Sequence, residues 1–336
     1  MIRRISGRTL GFEEMPSILG YAAVAGKKEA AGPLGSSFDK IIYDSRRGQK
    51  TFEEGESMFQ TEAASIALEK ASISSSQVDV IFAGDLLNQC IGSSYGLIDF
   101  NIPYLGIYGA CSTMAEGLLM SAVFVESGAA NTAMCVTSSH FCSAERQYRF
   151  PLEYGAVRTP TSQWTVTAAG SCVVGNAKKG VRIARATIGK ITDLGVTDAN
   201  NMGAAMAPAA AEVIMRFLSD TGAAPDEFDL ILTGDLGFVG SQALYELLQR
   251  EGIDIKAKHN DCGLMIFDRE KQDVHAGGSG CGCCASVLCS TILKRMSRGE
   301  IKNVLFIATG ALMSTTSSGQ GRTIPAIAHL INLKTI

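Results

Sequence analysis

Asp79-Val80-Ile81-Phe82-Ala83-Gly84-Asp85-Leu86 returns later in the chain as Asp229-Leu230-Ile231-Leu232-Thr233-Gly234-Asp235-Leu236. Each copy reads as a buried strand that starts after an aspartate and stops at Gly-Asp. An apolar helical segment precedes each, Ala63 to Ala71 and Ala211 to Leu218. Downstream, Gly109 and Gly280 each open a helical pattern that reaches another glycine, Gly128 or Gly299, nineteen residues on. A second buried-strand run then begins at asparagine, Asn131 to Val136 and Asn303 to Ile307. Matching order and spacing over two long segments is the mark of internal duplication. The halves divide at residues 1–178 and 179–336. Short apolar runs alternating with longer helical patterns specify an α/β class, expected as parallel strands covered by helices on both faces.

Composition fits a large packed body. The 336 residues are 46% hydrophobic and 19% charged, with 36 glycines for tight turns. A net charge of −3 without a basic stripe argues against nucleic acid, whose phosphates require clustered Lys and Arg. Arg46-Arg47 and Lys178-Lys179 are isolated surface pairs. Phe12-Glu13-Glu14 interrupts any export signal after Arg3-Arg4, and no run of eighteen apolar residues is present to span a membrane. Ten cysteines without such a signal are expected as reduced thiols.

One cysteine stands apart. Ile107-Tyr108-Gly109-Ala110-Cys111-Ser112-Thr113-Met114 places a thiol between an apolar run and a helix start. Unpaired N–H groups and the helix dipole favour a thiolate there, so a lowered pKa is expected. Free cysteine is also a common buried residue, which is the plain alternative.

Gly109-Ala110-Cys111-Ser112, the Gly-rich His275-Ala276-Gly277-Gly278-Ser279-Gly280, Ala168 to Gly175 and the closing Ala308-Thr309-Gly310-Ala311 together resemble the thiolase and ketoacyl-synthase superfamily. The resemblance covers nearly the whole chain. It implies two pseudo-repeated halves in an α-β-α-β-α layered body. More narrowly, Gly11-Phe12-Glu13, Ser138 to Pro151, Thr159 to Thr165 and Cys281-Gly282-Cys283-Cys284 resemble the stage V sporulation protein AD family of endospore formers. That resemblance implies a protein that binds dipicolinic acid, free or with calcium, and works with other SpoVA membrane proteins at the spore inner membrane. No cofactor is implied.

The chain departs from the condensing enzymes at their histidines. Where a histidine follows the second-half strand, this sequence reads Thr233-Gly234-Asp235-Leu236, and His275 lies where thiolases carry asparagine. A lone imidazole leaves the enolate and oxyanion stabilisers incomplete, so a noncatalytic role is expected, with a Cys111-dependent acyltransferase as the alternative. A scaffold with a vestigial pocket is the third class.

Strand C-terminal ends hold the ligand sites of open α/β sheets, which points to Asp85, Asn88, Cys111, His140, Asp235 and His275 as the lining. Asp85 and Asp235 could equally cap turns, and the imidazoles could be structural. Asn201 could enter from a loop or simply make a turn. For a dipicolinate dianion, N–H groups at the Cys111 helix, His275 and Arg158 are the candidate donors, and Trp164 or Tyr154 the flat wall. Asp85 and Asp235 offer oxygens to calcium. Cys281, Cys283, Cys284 and Cys289 are read as helix-packing thiols in preference to a zinc site, because adjacent cysteines on a helix diverge. The apolar run Asn131 to Ser138 is expected as the edge strand of a C2 dimer, and membrane association is expected through protein partners.

Overall fold

The computed structural model describes residues 1–148 and 157–335; Tyr154 lies outside them. Its first strands are β1 (Ile2–Ser6), β2 (Thr9–Phe12), β3 (Ser17–Gly26), β4 (Lys40–Ile42), β5 (Val80–Gly84), β6 (Tyr104–Gly106) and β7 (Thr132–Ser139). β8 (Trp164–Thr165), β9 (Ala168–Gly175) and β10 (Val181–Thr187) follow. The last are β11 (Leu230–Thr233), β12 (His259–Asp261), β13 (Gly278–Ser279), β14 (Asn303–Ala311) and β15 (Ala326–Thr335).

Strand order repeats. One set runs β6-β5-β7-β9-β3 and the other β12-β11-β14-β15-β10, joined where Arg182 of β10 pairs with Ser17 of β3. In each set the first three strands are parallel and the last two antiparallel. The expectation of wholly parallel strands is therefore corrected to a mixed sheet. The connection from β14 to β15 holds only the five-residue helix Thr315–Gly319 and turns the chain back antiparallel, whereas a parallel pair needs a full crossover.

The repeated aspartates explain why the two sets look alike. Asp79 Oδ2 accepts the Asn131 and Thr132 N–H groups at 2.6 and 3.1 Å, tying the start of β5 to the start of β7. Asp229 Oδ2 accepts from Lys302 and Asn303 at 2.7 and 3.0 Å, tying β11 to β14 in the same way. A short acidic side chain at a strand's entry satisfies backbone donors that the ladder leaves open.

Alternation along the strands builds five layers. Val80 and Phe82 face a central core with Met114, Leu118, Cys284 and Leu288, while Ile81 and Ala83 face Ala64, Ala67 and Leu68. Val304, Phe306 and Ala308 face the same centre from the other side, and Leu305 and Ile307 face Ile214 and Phe217. The outer helix Phe52–Ala71 begins at Thr51, whose hydroxyl accepts the Glu54 N–H at 3.1 Å while the Glu54 carboxylate accepts the Thr51 N–H, a cap typically worth ~1 kcal/mol. Met202–Thr221 and Gly237–Arg250 cover the opposite side. Between the sheets lie Thr113–Ser127 and the helix that starts at Cys281 and runs through a π turn at Leu288–Ile292 to Ser297. The layering is α-β-α-β-α, the thiolase-like fold.

Cys281, Cys283 and Cys284 are fully buried and point to different carbonyls, those of Ser138 (2.8 Å), Gly234 (3.7 Å) and Cys111 (3.5 Å). Cys289 lies 3.6 Å from Cys172. Among the described residues no group of three His, Cys, Asp or Glu could hold a metal ion. No helix of the described residues is long and apolar enough to cross a membrane.

The expected edge strand is corrected. β7, which contains Thr132 to Ser138, is interior, with β5 bonded on one side and β9 on the other. The outer strand is β6, all three residues of which are exposed. A three-residue strand inserted by a crossover leaves no periodicity that would have shown it.

Candidate functional site

Cys111 occupies a sharp turn between β6 and the helix Thr113–Ser127. Ala110 takes φ +49° to make that turn. Gly310 at the end of β14 packs against it so closely that a Cβ there would overlap the Gly109 carbonyl oxygen, so the second sheet touches the turn directly. The N–H groups of Ser112 and Thr113 donate to Gly109 and Ala110 carbonyls at 3.0 and 3.3 Å. They are spent inside the turn and do not face the thiol or a ligand.

The sulfur is buried among Leu86, Ala144, Cys281 and Tyr148. Cys111 Sγ lies 3.9 Å from Ser279 Oγ. Ser279 Oγ donates to Asp235 Oδ2 at 2.9 Å, and the Gly280 N–H donates to the same oxygen at 2.9 Å. Thr309 Oγ1 donates to Asp235 Oδ1 at 2.8 Å. Asp235 is fully buried, and that burial raises its own pKa despite the donors around it. Burial pushes the Cys111 thiol well above its ordinary value, and the Asp235 carboxylate adds to the rise. The expected thiolate is therefore corrected to a neutral thiol: desolvation and a nearby anion outweigh a helix end whose N–H groups are already bonded.

Three of the four histidine rings are hydrogen-bonded away from the thiol. His140 is buried against Phe52 and Phe59, its Nε2 2.9 Å from the Ser45 carbonyl and its Nδ1 accepting the Cys142 N–H at 3.1 Å. Burial lowers its pKa, and the neutral Nε2–H tautomer satisfies both partners. His259 bridges Thr233 and Tyr245 at 2.9 and 2.8 Å, with its pKa lowered to about 4 by burial. His329 accepts the Gly189 N–H. His275 has φ +51° and faces Asp273, 3.5 Å from its Nε2. Neither His140 nor His275 lines the hollows that approach the thiol.

Asp85 does not line them either. Its oxygens accept from Leu87 N (2.9 Å), Ser93 N (2.7 Å) and Ser93 Oγ (2.6 Å), the work of a turn cap. With Asp235 equally saturated, neither carboxylate is left open to calcium. Asn201 caps the helix Met202–Thr221 by accepting the Ala204 N–H at 3.3 Å. Arg158 and Trp164 do come together: the guanidinium carbon is 4.8 Å from the Trp164 ring, and Arg158 Nη1 is 3.6 Å from Glu145. Phe141 stacks on the indole at 3.8 Å and 5°, and Lys28 Nζ sits 3.8 Å from it, so the ring is covered on both faces and offers no flat wall.

Ser279, Thr309 and Gln163 are the site residues that sequence reasoning missed. Gln163 Nε2 donates to the Asp235 and Gly278 carbonyls at 2.6 and 2.9 Å, which locks β13 beside β8. Ser279 and Thr309 lie within the Gly-rich and closing motifs, but nothing in a motif tells which side chain turns inward.

Two hollows approach this cluster. One, about 50 Å³, has Ser279 in its lining together with Ala144, Tyr148, Gln163 and Met202. The other, about 380 Å³, opens between Leu87 to Cys90, Tyr108, Gln147, Tyr148 and Leu312 to Thr316. Asn88 is exposed there and its N–H donates to Gln147 Oε1 at 2.9 Å. Tyr148 lines both hollows, and its hydroxyl lies 3.2 Å from that of Tyr108 and 2.7 Å from the Leu86 carbonyl. A pair of hydroxyls thus stands between the wide cleft and the buried thiol.

Solved structures share this architecture. An OleA variant from Xanthomonas campestris superposes with a TM-score of 0.61 at 15% identity, covering 98% of this chain and all of that one. The 3-oxoacyl-[acyl-carrier-protein] synthase III of Aquifex aeolicus gives 0.57 at 15%, with 95% and 99% covered. At such identities the likeness shows the fold alone. Sequence relatives are nearer: stage V sporulation protein AD of Bacillus subtilis (strain 168) is 42% identical over 327 residues, 97% of this chain and 96% of its own length. With the family's own model matching residues 6–334, the chain belongs to the stage V sporulation protein AD (SpoVAD) family, whose members are sporulation proteins built on a thiolase-like fold.

Proposed function

We propose that this sporulation protein is a noncatalytic carrier of dipicolinic acid, working with other SpoVA proteins at the spore inner membrane. The observation that supports the noncatalytic part is the placement of the histidines. Acyl condensation needs donors for an enolate and an oxyanion beside the nucleophile. Here the groups around Cys111 are a carboxyl and two hydroxyls, while the imidazoles of His140, His259 and His329 are hydrogen-bonded elsewhere and that of His275 lies 3.5 Å from Asp273.

The ligand is assigned to the wide cleft. Its volume lies within the range of small-molecule sites, and Asn88, Gln147, Tyr108 and Ser314 to Thr316 offer amide and hydroxyl groups to two carboxylates. A calcium ion travelling with dipicolinate would take its ligands from the dicarboxylate and water. Calorimetric titration of the purified protein should give saturable heat with dipicolinate, and Asn88→Ala and Tyr108→Phe should each weaken it severalfold without shifting the melting temperature. A flat titration at millimolar dipicolinate, with and without calcium, overturns the assignment.

We further propose that two copies associate through the open edge of β6. Tyr104 and Leu105 are exposed on it, with Tyr95 and Ile98 nearby, a row of apolar side chains on an unpaired ladder. The halves 1–178 and 179–336 are read as products of duplication.

A further inference from the structure

Away from the cleft, a groove of about 670 Å³ crosses β1, β2, β10 and β15. Pairing aligns its walls. Arg3 of β1 and Arg185 of β10 both lie opposite Gly11 of β2, so three strands carry one row with a gap in the middle. Gly11 supplies no side chain, and the gap becomes the groove's floor beside Ile5, Phe12, Met15 and Ala184. Lys334 of β15 closes the far wall.

Arg3, Arg185 and Lys334 make no ion pair or side-chain hydrogen bond among the described residues. Their neighbours do: Arg4 donates to the Gly7 carbonyl, Arg182 to Met15, and Lys178 pairs with Glu14. Glu13, the acid on the rim, faces the Met1 ammonium at 3.6 Å. Three cations against one lining carboxylate, Glu13, leave the groove with a net positive charge, the Met1 ammonium being held mainly by Glu126 at 2.7 Å. An anionic partner would offset that charge, and steering by such a field is an effect of the charges themselves.

We propose that this groove is the docking site for an extended acidic segment of a partner polypeptide, its carboxylates meeting Arg3, Arg185 and Lys334 and its apolar side chains resting on Ile5 and Met15. Alternation of acidic and apolar residues suits a strand laid along a sheet, where successive side chains turn to opposite faces. The groove is concave, so a flat lipid surface would reach only its rim. This inference deepens the proposal that the protein works with SpoVA partners, and it does not depend on dipicolinate.

Fluorescence anisotropy with a labelled eight-residue peptide of alternating Glu and Val tests it on the full chain. Saturable binding is expected, weakened at least tenfold in the Arg185→Gln, Lys334→Gln double variant and in Arg3→Gln, and lost in 0.5 M salt, where screening shortens to a few ångströms. Arg4→Gln, one residue away but outside the groove, should bind as the parent does. Equal binding by the groove variants, or equal loss in Arg4→Gln, overturns the proposal. So does binding to phosphatidylglycerol vesicles that the groove variants lose while the peptide never binds. Dipicolinate calorimetry on the same variants should be unchanged, which separates failure here from failure of the ligand assignment.

Discussion

Cys111 and Asp235 are joined through one hydroxyl: Ser279 Oγ lies 3.9 Å from the sulfur and 2.9 Å from the carboxylate. An acid therefore stands behind the thiol, where the condensing enzymes need a base and an oxyanion donor. A carboxylate in that place opposes formation of negative charge on sulfur.

Slow alkylation of Cys111 follows. Of the ten cysteines only Cys142 is not buried, and brief iodoacetamide treatment at neutral pH should label it first. Asp235→Asn removes the nearby charge and should raise the Cys111 rate severalfold, still below that of Cys142. Peptide mapping by mass spectrometry reads both, and early labelling of Cys111 in the parent protein would contradict the pKa direction.

Acyl transfer should be absent. Incubation with acetyl- or malonyl-coenzyme A should release no coenzyme A above the rate of the Cys111→Ala variant. Steady release that depends on Cys111 would favour the acyltransferase reading over the carrier.

Stability should fall as pH rises through the acid side of neutrality. Glu29 is fully buried; Thr167 N–H donates to its Oε1 at 2.9 Å, and burial raises its pKa from 4.5 to about 7. An acid whose pKa is higher in the folded state stabilises that state below pH 4.5, and the contribution fades as pH climbs to 7. Glu29→Gln should match the parent near pH 4 and exceed it at pH 8, by on the order of 3 kcal/mol, since each tenfold change in proton affinity is worth ~1.4 kcal/mol. Urea unfolding at the two pH values decides it.

Gly310→Ala should unfold at lower temperature. Its Cβ would overlap the Gly109 carbonyl oxygen, and backbone on both sides leaves nothing flexible to give way. A cost of ~1–3 kcal/mol is typical of forced contacts in packed regions. A melting temperature equal to the parent's would show that β14 can retreat from the turn.

Leu105→Lys should leave the fold intact and give a monomer by light scattering, if β6 is the edge that pairs. A dimer that survives the change places association elsewhere.

Much of the architecture was legible because burial leaves a pattern. The repeated Asp79 to Leu86 and Asp229 to Leu236 mark β5 and β11, and the nineteen-residue spacings mark the helices of the central layer. The pairing of Cys111 with Asp235 was half visible, as two members of one proposed lining. What failed was orientation. Whether His140 turns toward the cleft or toward Ser45 depends on a rotamer set by Phe52 and Phe59, far off in the chain. For Asp85 and Asn201 the sequence leaves pocket lining and turn capping open, and each serves nearby backbone, a choice that short polar side chains make whenever local donors are free. β6 is too short for any period to show.

The thiol follows β6 of the first set of strands, while Asp235 follows β11 and Thr309 lies on β14 of the second, and Ser279 sits on the separate pair of β13 with β8. The chamber is therefore shared between segments far apart in the sequence, and neither set of strands holds it alone. A shift of one set of strands against the other would part the thiol from its acid. The strand pairing at Ser17 and Arg182 is thus not the sole tie between the two sets, since the Ser279 hydroxyl reaches both the sulfur and the carboxylate.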